Sequence, residues 1–406
     1  MVHHQVIVIG AGQAGLATSY CLAQRGIAHV VVEQGRIAER WRSARWDSFR
    51  LVTSNASCRL PGWSYDGPDP DGFMARDEFV RFLLGYAASF GAPVREGVTV
   101  QRVVQLGNRF RVETSEGVLT ADAVVVATGI VQSPKTPAVA DRFPPGIVQM
   151  HSSSYRNPAE LPPGAVLVVG SGQSGTSIAH ELRASGRRVF LSVGSNPRIP
   201  RRYRGRDILA WTSAAGLRTL RGNRFSQHAH VSDSGPHDLA LDALAARGVH
   251  LVGHVEAIDG TRLSLSTDLL ERVRAADAFE AALLDAIDAW IDDEGISAPS
   301  EPRRRRAGLA TEGPACLDLG EQAISAVIWA TGYGFDFSWI ECGVLGADGE
   351  PLQERGVTSV PGLYVVGMNW RTRPLSAYVG SVAGEAEHVA AHAAAHADAG
   401  STSHRA

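Results

Sequence analysis

The stretch Q-V-I-V-I-G-A-G-Q-A-G, from Gln5 to Gly15, joins an apolar run to a glycine-rich turn. Its apolar run predicts a buried parallel strand, and the pattern of Gln13–Arg25 predicts the helix that follows. His29–Glu33 predicts a second buried strand that ends in an acid. A glycine-rich turn between strand and helix, inside a βαβ unit of about 30 residues, is typical of dinucleotide binding.

The glycines of this first loop have separate physical roles. Gly10 permits the tight turn, Gly12 lets backbone N–H groups approach a pyrophosphate, and Gly15 lets the helix pack closely on the strand. Glu33 stands 18 residues after the last glycine, where a carboxylate can accept hydrogen bonds from an adenosine ribose. The residues predicted to hold this first dinucleotide are Gly10, Gly12, Gln13, Ala14, Gly15, Glu33 and Gln34.

A second loop, G-S-G-Q-S-G at Gly170–Gly175, has the same context, but the strand at Val189–Val193 is followed by serines and arginines instead of an acid. A carboxylate would repel the 2′-phosphate of NADPH, whereas hydroxyl and guanidinium groups would bind it, so the sequence favours NADPH over NADH. For any one arginine, a solvated basic loop is the alternative. The predicted contacts are Gly170, Gly172, Gln173, Ser174, Gly175, Ser192, Ser195, Arg198, Arg201 and Arg202.

Two sites with opposite electrostatics imply two different dinucleotides, FAD in the first and NADPH in the second. The predicted fold class is α/β, with two Rossmann-like dinucleotide-binding domains, the NADPH domain inserted into the FAD domain, and a β-meander at Gly97–Ala121. A long amphipathic helix is predicted at Asp268–Asp292, capped by Thr267. The predicted boundaries are 1–135 and 334–395 for the FAD domain, 136–159 for a linker, 160–333 for the NADPH domain and 396–406 for a tail.

Composition points to a small-molecule partner. The net charge of −3 gives no electrostatic footprint for nucleic acid or an acidic membrane, and no segment is long and apolar enough to span a bilayer. The N-terminus lacks the pattern of a signal peptide, so a cytoplasmic location is expected. Neither disulfide nor metal-type spacing occurs among the cysteines and the scattered histidines, so no metal is predicted. The cysteines are Cys21, Cys58, Cys316 and Cys342.

Four short motifs add a family resemblance: E-R-W-R at Glu39–Arg42, Ser54-Asn55, W-A-T-G-Y at Trp329–Tyr333, and H-S-S-S-Y-R at His151–Arg156. With both loops, they make the chain resemble the class B flavin-dependent monooxygenases, which include flavin-containing and Baeyer-Villiger monooxygenases. The spacing before His151 departs from the family fingerprint, so a linker histidine with local hydrogen bonds is an equal alternative. The resemblance implies further cofactor contacts at Arg40, Trp41, Arg42, Ser54, Ala127, Thr128, Gly129, Ala330, Thr331, Gly332, Tyr333 and Gly367.

The resemblance also implies a mechanism. NADPH would reduce FAD, dioxygen would form a C4a-(hydro)peroxyflavin, and one oxygen atom would pass to a small organic substrate by N- or S-oxygenation, hydroxylation or Baeyer-Villiger insertion. Asn55 is the predicted catalytic residue, with its side chain near the flavin N5/C4a locus, and an Asx-turn in S-N-A-S is its alternative role.

Other functions stay open at the level of sequence. A reductase that passes electrons to a protein or small acceptor needs no readable motif, although the absence of a close cysteine pair disfavours a disulfide reductase. A non-catalytic flavin or NADPH sensor is a third alternative. Tyr203–His237, irregular and rich in Trp, Arg and His, and W-R-T-R-P at Trp370–Pro374 are candidate substrate regions. The sequence does not decide between a monomer and a homodimer.

Overall fold

The computed structural model describes residues 2–216, 230–231, 239–303, 312–368 and 378–402. The helices are α1 Gln13–Gln24, α2 Glu39–Ser43, α3 Arg76–Ser89, α4 Gln173–Ala184, α5 Ile208–Ala214, α6 Leu241–Ala246, α7 Leu269–Asp293 and α8 Val382–Thr402. The strands are β1 Val2–Ile9, β2 His29–Glu33, β3 Arg59–Leu60, β4 Trp63–Ser64, β5 Val94–Glu96, β6 Val100–Leu106, β7 Arg109–Thr114, β8 Gly117–Val126, β9 Ser133–Pro134, β10 Val148–His151, β11 Ala165–Val169, β12 Val189–Ser192, β13 Arg198–Ile199, β14 Arg202–Tyr203, β15 Arg206–Asp207, β16 His230–Val231, β17 Val249–Val252, β18 Val255–Asp259, β19 Arg262–Leu265, β20 Cys316–Asp318, β21 Ile324–Trp329, β22 Tyr333–Gly334, β23 Ile340–Glu341, β24 Gln353–Glu354, β25 Val357–Thr358 and β26 Leu363–Val365.

The chain folds into two compact units. Unit 1 comprises Met1–Ala44, Thr53–Ser133 and Tyr333–Ala406, and unit 2 comprises Arg45–Val52 and Pro134–Gly332. The predicted linker, 136–159, lies within unit 2, where β10 adds an edge strand to the sheet. The predicted tail also differs, because α8 continues to Thr402.

Unit 1 is built on a sheet of ten strands, with β23-β6-β7-β8-β1-β2-β5 as its main order. β1 runs parallel to β2 and β8, while β6, β7 and β8 form the antiparallel meander. β8 belongs to both parts, because its ten residues extend the meander into the parallel layer. β26 pairs with β8 from the far end of the chain, so the C-terminal segment completes the fold of unit 1.

Burial explains why these segments form strands. Val6, Ile7, Val8 and Ile9 are almost wholly buried, as expected for a parallel strand that is covered on both faces. Helix α1 packs against α8 on unit 1. Burying each aliphatic side chain contributes roughly 1.5–3 kcal/mol to the free energy of folding.

Unit 2 has its own parallel sheet, in the order β10-β21-β11-β12-β17. The segment β11-α4-β12 repeats the βαβ arrangement of β1-α1-β2. A three-stranded antiparallel sheet, β18-β19-β20, shares an apolar core with the parallel sheet, and that core includes Leu167, Phe190 and Trp329. The predicted α/β fold class, with two Rossmann-like units, is therefore confirmed.

Helix α7 packs its apolar face against residues of the segment that follows β12. Ile199, Tyr203, Trp211, Leu283 and Ile287 share one apolar cluster. The predicted cap of this helix was wrong. The helix begins at Leu269 behind the N-cap Asp268, because the Asp268 side chain bonds Ser266 and Arg272 and Thr267 lies one residue outside the cap.

Within the described residues, no helix combines the length and the apolar character that crossing a membrane requires. Residues 217–229 and 232–237 of the candidate substrate region, the W-R-T-R-P motif and Arg304–Arg306 lie outside the described residues.

Candidate dinucleotide-binding sites

The first glycine loop joins β1 to α1 in unit 1, and its backbone requires two of its glycines. Gly10 has φ = +108°, and a Cβ there would lie 2.6 Å from the carbonyl oxygen of Ala127. A Cβ at Gly15 would lie 1.8 Å from the carbonyl oxygen of Gly10. Nothing lies within 4 Å of a Cβ at Gly12, so space within the protein does not require a glycine there. That openness suits the close approach of a phosphate.

Glu33 ends β2 and connects two turns. Its Oε2 accepts a hydrogen bond from the Ala11 N–H at 2.8 Å, and its Oε1 accepts one from the Gly35 N–H at 3.0 Å. Each carboxylate oxygen keeps further acceptor capacity after these bonds. Glu33 can therefore hold the loop in shape and also accept hydrogen bonds from ribose hydroxyls.

The E-R-W-R motif forms α2 in unit 1. The Trp41 Nε1–H donates to Gln13 Oε1 at 3.0 Å, and the Trp41 ring packs edge-on against Phe79 at 4.8 Å between centroids. The motif thereby fixes the first residue of α1. Arg42 donates to the carbonyl oxygen of Ile37, while Arg40 is exposed. Gln34 is also exposed.

Asn55 is buried, and both ends of its amide bond the backbone of unit 1. Its Nδ2 donates to the carbonyl oxygen of Asp69 at 2.8 Å, and its Oδ1 accepts from the Met74 N–H at 2.8 Å. Ser54 bonds Ser57 through the two hydroxyls at 3.0 Å. The arrangement is not the local Asx-turn of the alternative prediction, because the partners lie 14 and 19 residues away. It gives Asn55 the role of holding residues 69–74 in place.

The first A-T-G turn and the end of β26 reach the same loop. The Ala127 N–H donates to Ile9, and Gln132 Nε2 donates to Thr128 Oγ1 at 3.1 Å and to the carbonyl oxygen of Gly129 at 2.9 Å. Gly367 has φ = +77°, and a Cβ there would lie 2.5 Å from the Cβ of Ala14. Unit 1 thus brings the E-R-W-R motif, the first A-T-G turn and Gly367 to the glycine loop and the start of α1.

The second loop, in unit 2, reproduces this geometry. Gly170 also has φ = +108°, with a hypothetical Cβ 2.5 Å from the carbonyl oxygen of Ala330. A Cβ at Gly175 would lie 1.8 Å from the carbonyl oxygen of Gly170. A Cβ at Gly172 would lie 3.4 Å from Asn196 Nδ2. Gln173 and Ser174 open α4, behind Gly172 as N-cap.

Strand register identifies the residue that replaces Glu33. Ile9 pairs with Val32 in unit 1, and Val169 pairs with Ser192 in unit 2, so Val193 occupies the position of the acid. Val193 is 1% exposed. In unit 1 the Glu33 carboxylate bonds the Ala11 N–H of the glycine loop, a bond that a valine cannot make. In unit 2 a different bond joins the loop to the segment after β12, because Ser171 Oγ accepts from the Gly194 N–H at 3.1 Å.

The predicted 2′-phosphate contacts separate into two groups. Ser192 is fully buried, and its hydroxyl donates to the carbonyl oxygen of Gly253 at 3.0 Å. Arg198 is buried between Asp277 and Glu280. Both side chains are therefore bonded to partners within unit 2, and their contact with a 2′-phosphate stays a prediction.

The remaining basic residues of this segment differ in exposure. Arg201 is buried and bonds Asp207 Oδ2 at 3.1 Å and the carbonyl oxygen of Val52 at 2.7 Å, so it also has internal partners. Arg202 is exposed, with one bond to the carbonyl oxygen of Gly205. Ser195 is exposed as well. These two residues are the predicted contacts that solvent can reach.

The second A-T-G turn is closed by His151, the last residue of β10. His151 Nδ1 accepts from the Ser153 N–H at 3.1 Å, so the ring is the Nε2–H tautomer, which donates to the carbonyl oxygen of Gly332 at 3.0 Å. Burial lowers the pKa of His151 below its ordinary value. Thr331 donates to the carbonyl oxygen of Lys135, and Tyr333 begins the return of the chain to unit 1.

The cysteines are separate from these loops. All four are free thiols, and burial raises the pKa of Cys21 to about 11 and that of Cys58 to about 12. Thiols with such pKa values are poor nucleophiles at neutral pH. Two residues of the second site, Ser171 and Asn196, were not predicted from the sequence. Both lie inside the glycine- and serine-rich stretches from which this site was predicted.

Two Rossmann-type units, each with a complete glycine loop, define the class of this chain. A family profile described as pyridine nucleotide-disulphide oxidoreductase matches residues 7–220, and the chain belongs to this family. It is 34% identical over 389 residues, covering 95% of this chain and 96% of the relative, to a Geobacillus kaustophilus protein with the name "Uncharacterized oxidoreductase CzcO-like".

Two further similarities concern monooxygenases. The chain is 28% identical over 388 residues to the indole-3-pyruvate monooxygenase YUCCA8 of Oryza sativa subsp. indica, covering 90% of this chain and 86% of the relative. The structure of a mutant flavin monooxygenase from Stenotrophomonas maltophilia superposes with a TM-score of 0.67 at 22% identity, covering 97% of this chain and 99% of that chain. The predicted resemblance to flavin monooxygenases is confirmed, and the protein is an oxidoreductase of the family named above.

Proposed function

We propose that the protein is an FAD- and NADPH-dependent monooxygenase, with FAD at the loop of unit 1 and NADPH at the loop of unit 2. The observation that carries this proposal is the contrast between Glu33 and Val193 on two loops of equal geometry. A carboxylate suits the ribose hydroxyls of FAD, and its replacement by valine removes the repulsion that a 2′-phosphate would meet.

The residues of unit 1 fit a firmly held flavin. Two backbone donors hold Glu33, and Trp41 holds Gln13 at the start of α1, so these bonds fix the loop beside the proposed cofactor. The N-terminus of α1 follows the glycine loop and has no side-chain cap hydrogen bond. The first N–H groups of a helix and its dipole suit a pyrophosphate. Bound FAD would supply hydride acceptance and the activation of dioxygen.

The residues of unit 2 fit an exchanging NADPH. The N-terminus of α4 likewise has no side-chain cap. Exposed Ser195 and Arg202 provide a hydroxyl donor and a cation for a 2′-phosphate. Asn196, beside Gly172, provides an amide at the same loop.

Monooxygenation, as opposed to reduction of a disulfide, is favoured by the cysteines and by the relatives. Cys21 and Cys58 are buried thiols with raised pKa values, and Cys316 and Cys342 stand on different units. The substrate is a small organic molecule, and the chemistry at its reacting atom remains one of the oxygenations named above. Electron transfer to another acceptor is the competing function.

One experiment separates these functions. The flavin released from the purified protein is identified by chromatography, and the holoenzyme is reduced by NADPH without oxygen and then mixed with dioxygen in a stopped-flow instrument. We expect FAD, rapid reduction by NADPH, and an oxygenated flavin that persists before hydrogen peroxide appears. Immediate release of hydrogen peroxide with rapid reduction of added acceptors would instead establish a reductase, and failure of NADPH to reduce the flavin would establish a sensor.

A further inference from the structure

The segment Gly194–Arg202 is the part of unit 2 that carries the exposed Ser195 and Arg202. The first half of this segment, from Gly194 to Arg198, is attached at both of its ends. The Gly194 N–H donates to Ser171 Oγ of the glycine loop at 3.1 Å, and Arg198 binds helix α7. The stretch between these attachments includes Ser195 and Asn196, so their positions depend on both anchors.

The second anchor is a buried charge cluster. Arg198 is 1% exposed, its Nε donates to Glu280 Oε2 at 2.7 Å, and its Nη2 bonds Asp277 Oδ1. The two carboxylates lie three residues apart on α7, which brings them to the same side of the helix. The guanidinium donates to both of them at once, and its planar shape fixes its direction.

Stability alone does not account for this cluster. Removing charges from water is costly, and well-packed apolar residues of similar volume are often as stabilising as a buried ion pair. The adjacent apolar cluster, with Ile199 against Leu283 and Leu284, already fastens this part of the segment to α7. A charged anchor adds what apolar packing lacks, which is a fixed direction and register for the backbone beside it.

We propose that Arg198, Asp277 and Glu280, here termed the α7 clamp, position Ser195 and Asn196 at the second glycine loop and thereby determine the preference for the 2′-phosphate of NADPH. The inference rests on the proposed function. Arg198 acts as a positioning residue, because its guanidinium is bonded to Asp277 and Glu280 of α7. The specificity of unit 2 therefore depends on a helix that begins 75 residues beyond Gly194, at Leu269.

The test compares two nucleotide fragments that differ by the 2′-phosphate. Calorimetry measures the dissociation constants of 2′,5′-ADP and 5′-AMP on the full FAD-loaded protein, for the wild type, Glu280→Gln and Asp277→Asn. We expect the wild type to prefer 2′,5′-ADP. Because each variant weakens a charge-assisted bond, we expect the preference to fall about tenfold, with 5′-AMP binding nearly unchanged.

The matched control is Arg272→Met, which breaks the 2.8 Å ion pair of Arg272 with Asp268 near the start of the same helix. We expect it to keep the wild-type ratio of the two dissociation constants. Enzyme kinetics provide a second readout, since a positioning role raises the KM for NADPH and leaves kcat at saturating NADPH unchanged. Asp277 is a third exposed, so Asp277→Asn keeps the test available should Glu280→Gln fail to fold.

The outcomes are distinct. A wild type that prefers 2′,5′-ADP while both clamp variants keep that ratio overturns the clamp and leaves the proposed function standing. If Arg272→Met loses as much preference for 2′,5′-ADP as the clamp variants do, the clamp is also overturned, because any change in α7 would then have the same effect. A wild type without any preference for 2′,5′-ADP overturns both the clamp and the NADPH specificity on which it rests.

Discussion

The two glycine loops have the same backbone and different chemistry. Gly10 and Gly170 share φ = +108°, and a Cβ at Gly15 or Gly175 would meet the preceding loop carbonyl at the same 1.8 Å. The two positions that strand register makes equivalent are both buried, as Glu33 in unit 1 and Val193 in unit 2. The shape of a dinucleotide loop is therefore set by its glycines, whereas its ligand is selected by residues outside them.

The A-T-G turns show the same contrast. In unit 1 the Gly129 carbonyl accepts from the neutral amide of Gln132 at 2.9 Å. In unit 2 the Gly332 carbonyl accepts from the imidazole of His151 at 3.0 Å. The two turns are closed in equivalent ways, but only an imidazole changes its charge near neutral pH. Unit 2 is therefore the unit whose turn should respond to acidity.

The largest effects are expected from Gly15→Ala and Gly175→Ala, which test the equality of the loops. Each Cβ would collide with backbone at 1.8 Å, so the loop must move. We expect Gly15→Ala to lose FAD during purification. Gly175→Ala should keep FAD and lose reduction by NADPH by about 100-fold, as for a misplacement of about 1 Å.

The control for both is Gly384→Ala, because a Cβ at Gly384 of α8 meets nothing within 4 Å. Flavin content and the anaerobic rate of flavin reduction by NADPH provide the measurements. A normal rate of flavin reduction by NADPH in Gly175→Ala would contradict the equivalence of the two loops, since the second loop would then not bind the coenzyme.

A smaller effect is expected from Val193→Glu, which transfers the acid of unit 1 to unit 2. Repulsion between carboxylate and 2′-phosphate should raise the KM for NADPH about 10- to 100-fold, with little change for NADH. The matched control, Val193→Gln, introduces the same shape without the charge and separates repulsion from the cost of burying a polar side chain. Equal KM changes for NADPH and NADH in Val193→Glu would contradict the assignment of this position.

Asn55→Ala tests a feature of unit 1 outside the shared loops. Loss of its two 2.8 Å hydrogen bonds to Asp69 and Met74 should lower the free energy of unfolding by about 1–3 kcal/mol, because the buried backbone groups lose a partner. Thermal denaturation measures the loss, and Asn55→Asp should lose at least as much at neutral pH, because it would bury a charge and set a carboxylate oxygen against the carbonyl oxygen of Asp69. Unchanged stability together with a shorter-lived oxygenated flavin would favour the direct catalytic role predicted for Asn55.

The smallest effect is expected from His151→Gln, which gives the turn of unit 2 the neutral amide found in unit 1. Because the pKa of folded His151 lies below its usual 6.5, its contribution to stability is complete above pH 6.5 and is lost as the pH falls from there toward the folded pKa. The wild type should therefore lose more stability than His151→Gln between pH 7.5 and 5.5, by no more than the roughly 1.4 kcal/mol that one pH unit below 6.5 allows. Parallel pH profiles of melting temperature would rule out this role.

Much of the fold was predictable, because local pattern and backbone geometry agree. The strands β1, β2, β11 and β12 and the helices between them follow from apolar runs joined by glycine loops. The bounds of α1, β2 and β12 agree with prediction within one residue, whereas β1 begins at Val2, three residues before the predicted Gln5. The meander was predictable for the same reason. The N-cap of α7 was not predictable from spacing, which does not favour Asp268 over Thr267. Asp268 occupies the cap position, where its side chain bonds Ser266 and Arg272.

The second site was less predictable than the first. Glu33 acts through neighbours in the loop and the next turn, so its role could be read from spacing. The arginines after β12 act through residues that are distant in sequence. Glu280 lies 82 residues from Arg198, and Val52 lies 149 residues from Arg201. An arginine-rich segment looks the same in sequence whether its charges face a phosphate or a buried carboxylate.

Local patterns along the chain specify the two βαβ units, the order of the glycine loops and the presence of an acid after only one of them. These are local properties, written in the periodicity of apolar residues and in the positions where only glycine fits. Tertiary structure alone decided which charged residues remain exposed to solvent and which are neutralised inside the protein. That decision depends on burial, and burial of Arg198 arises only when α7 folds against the segment that follows β12.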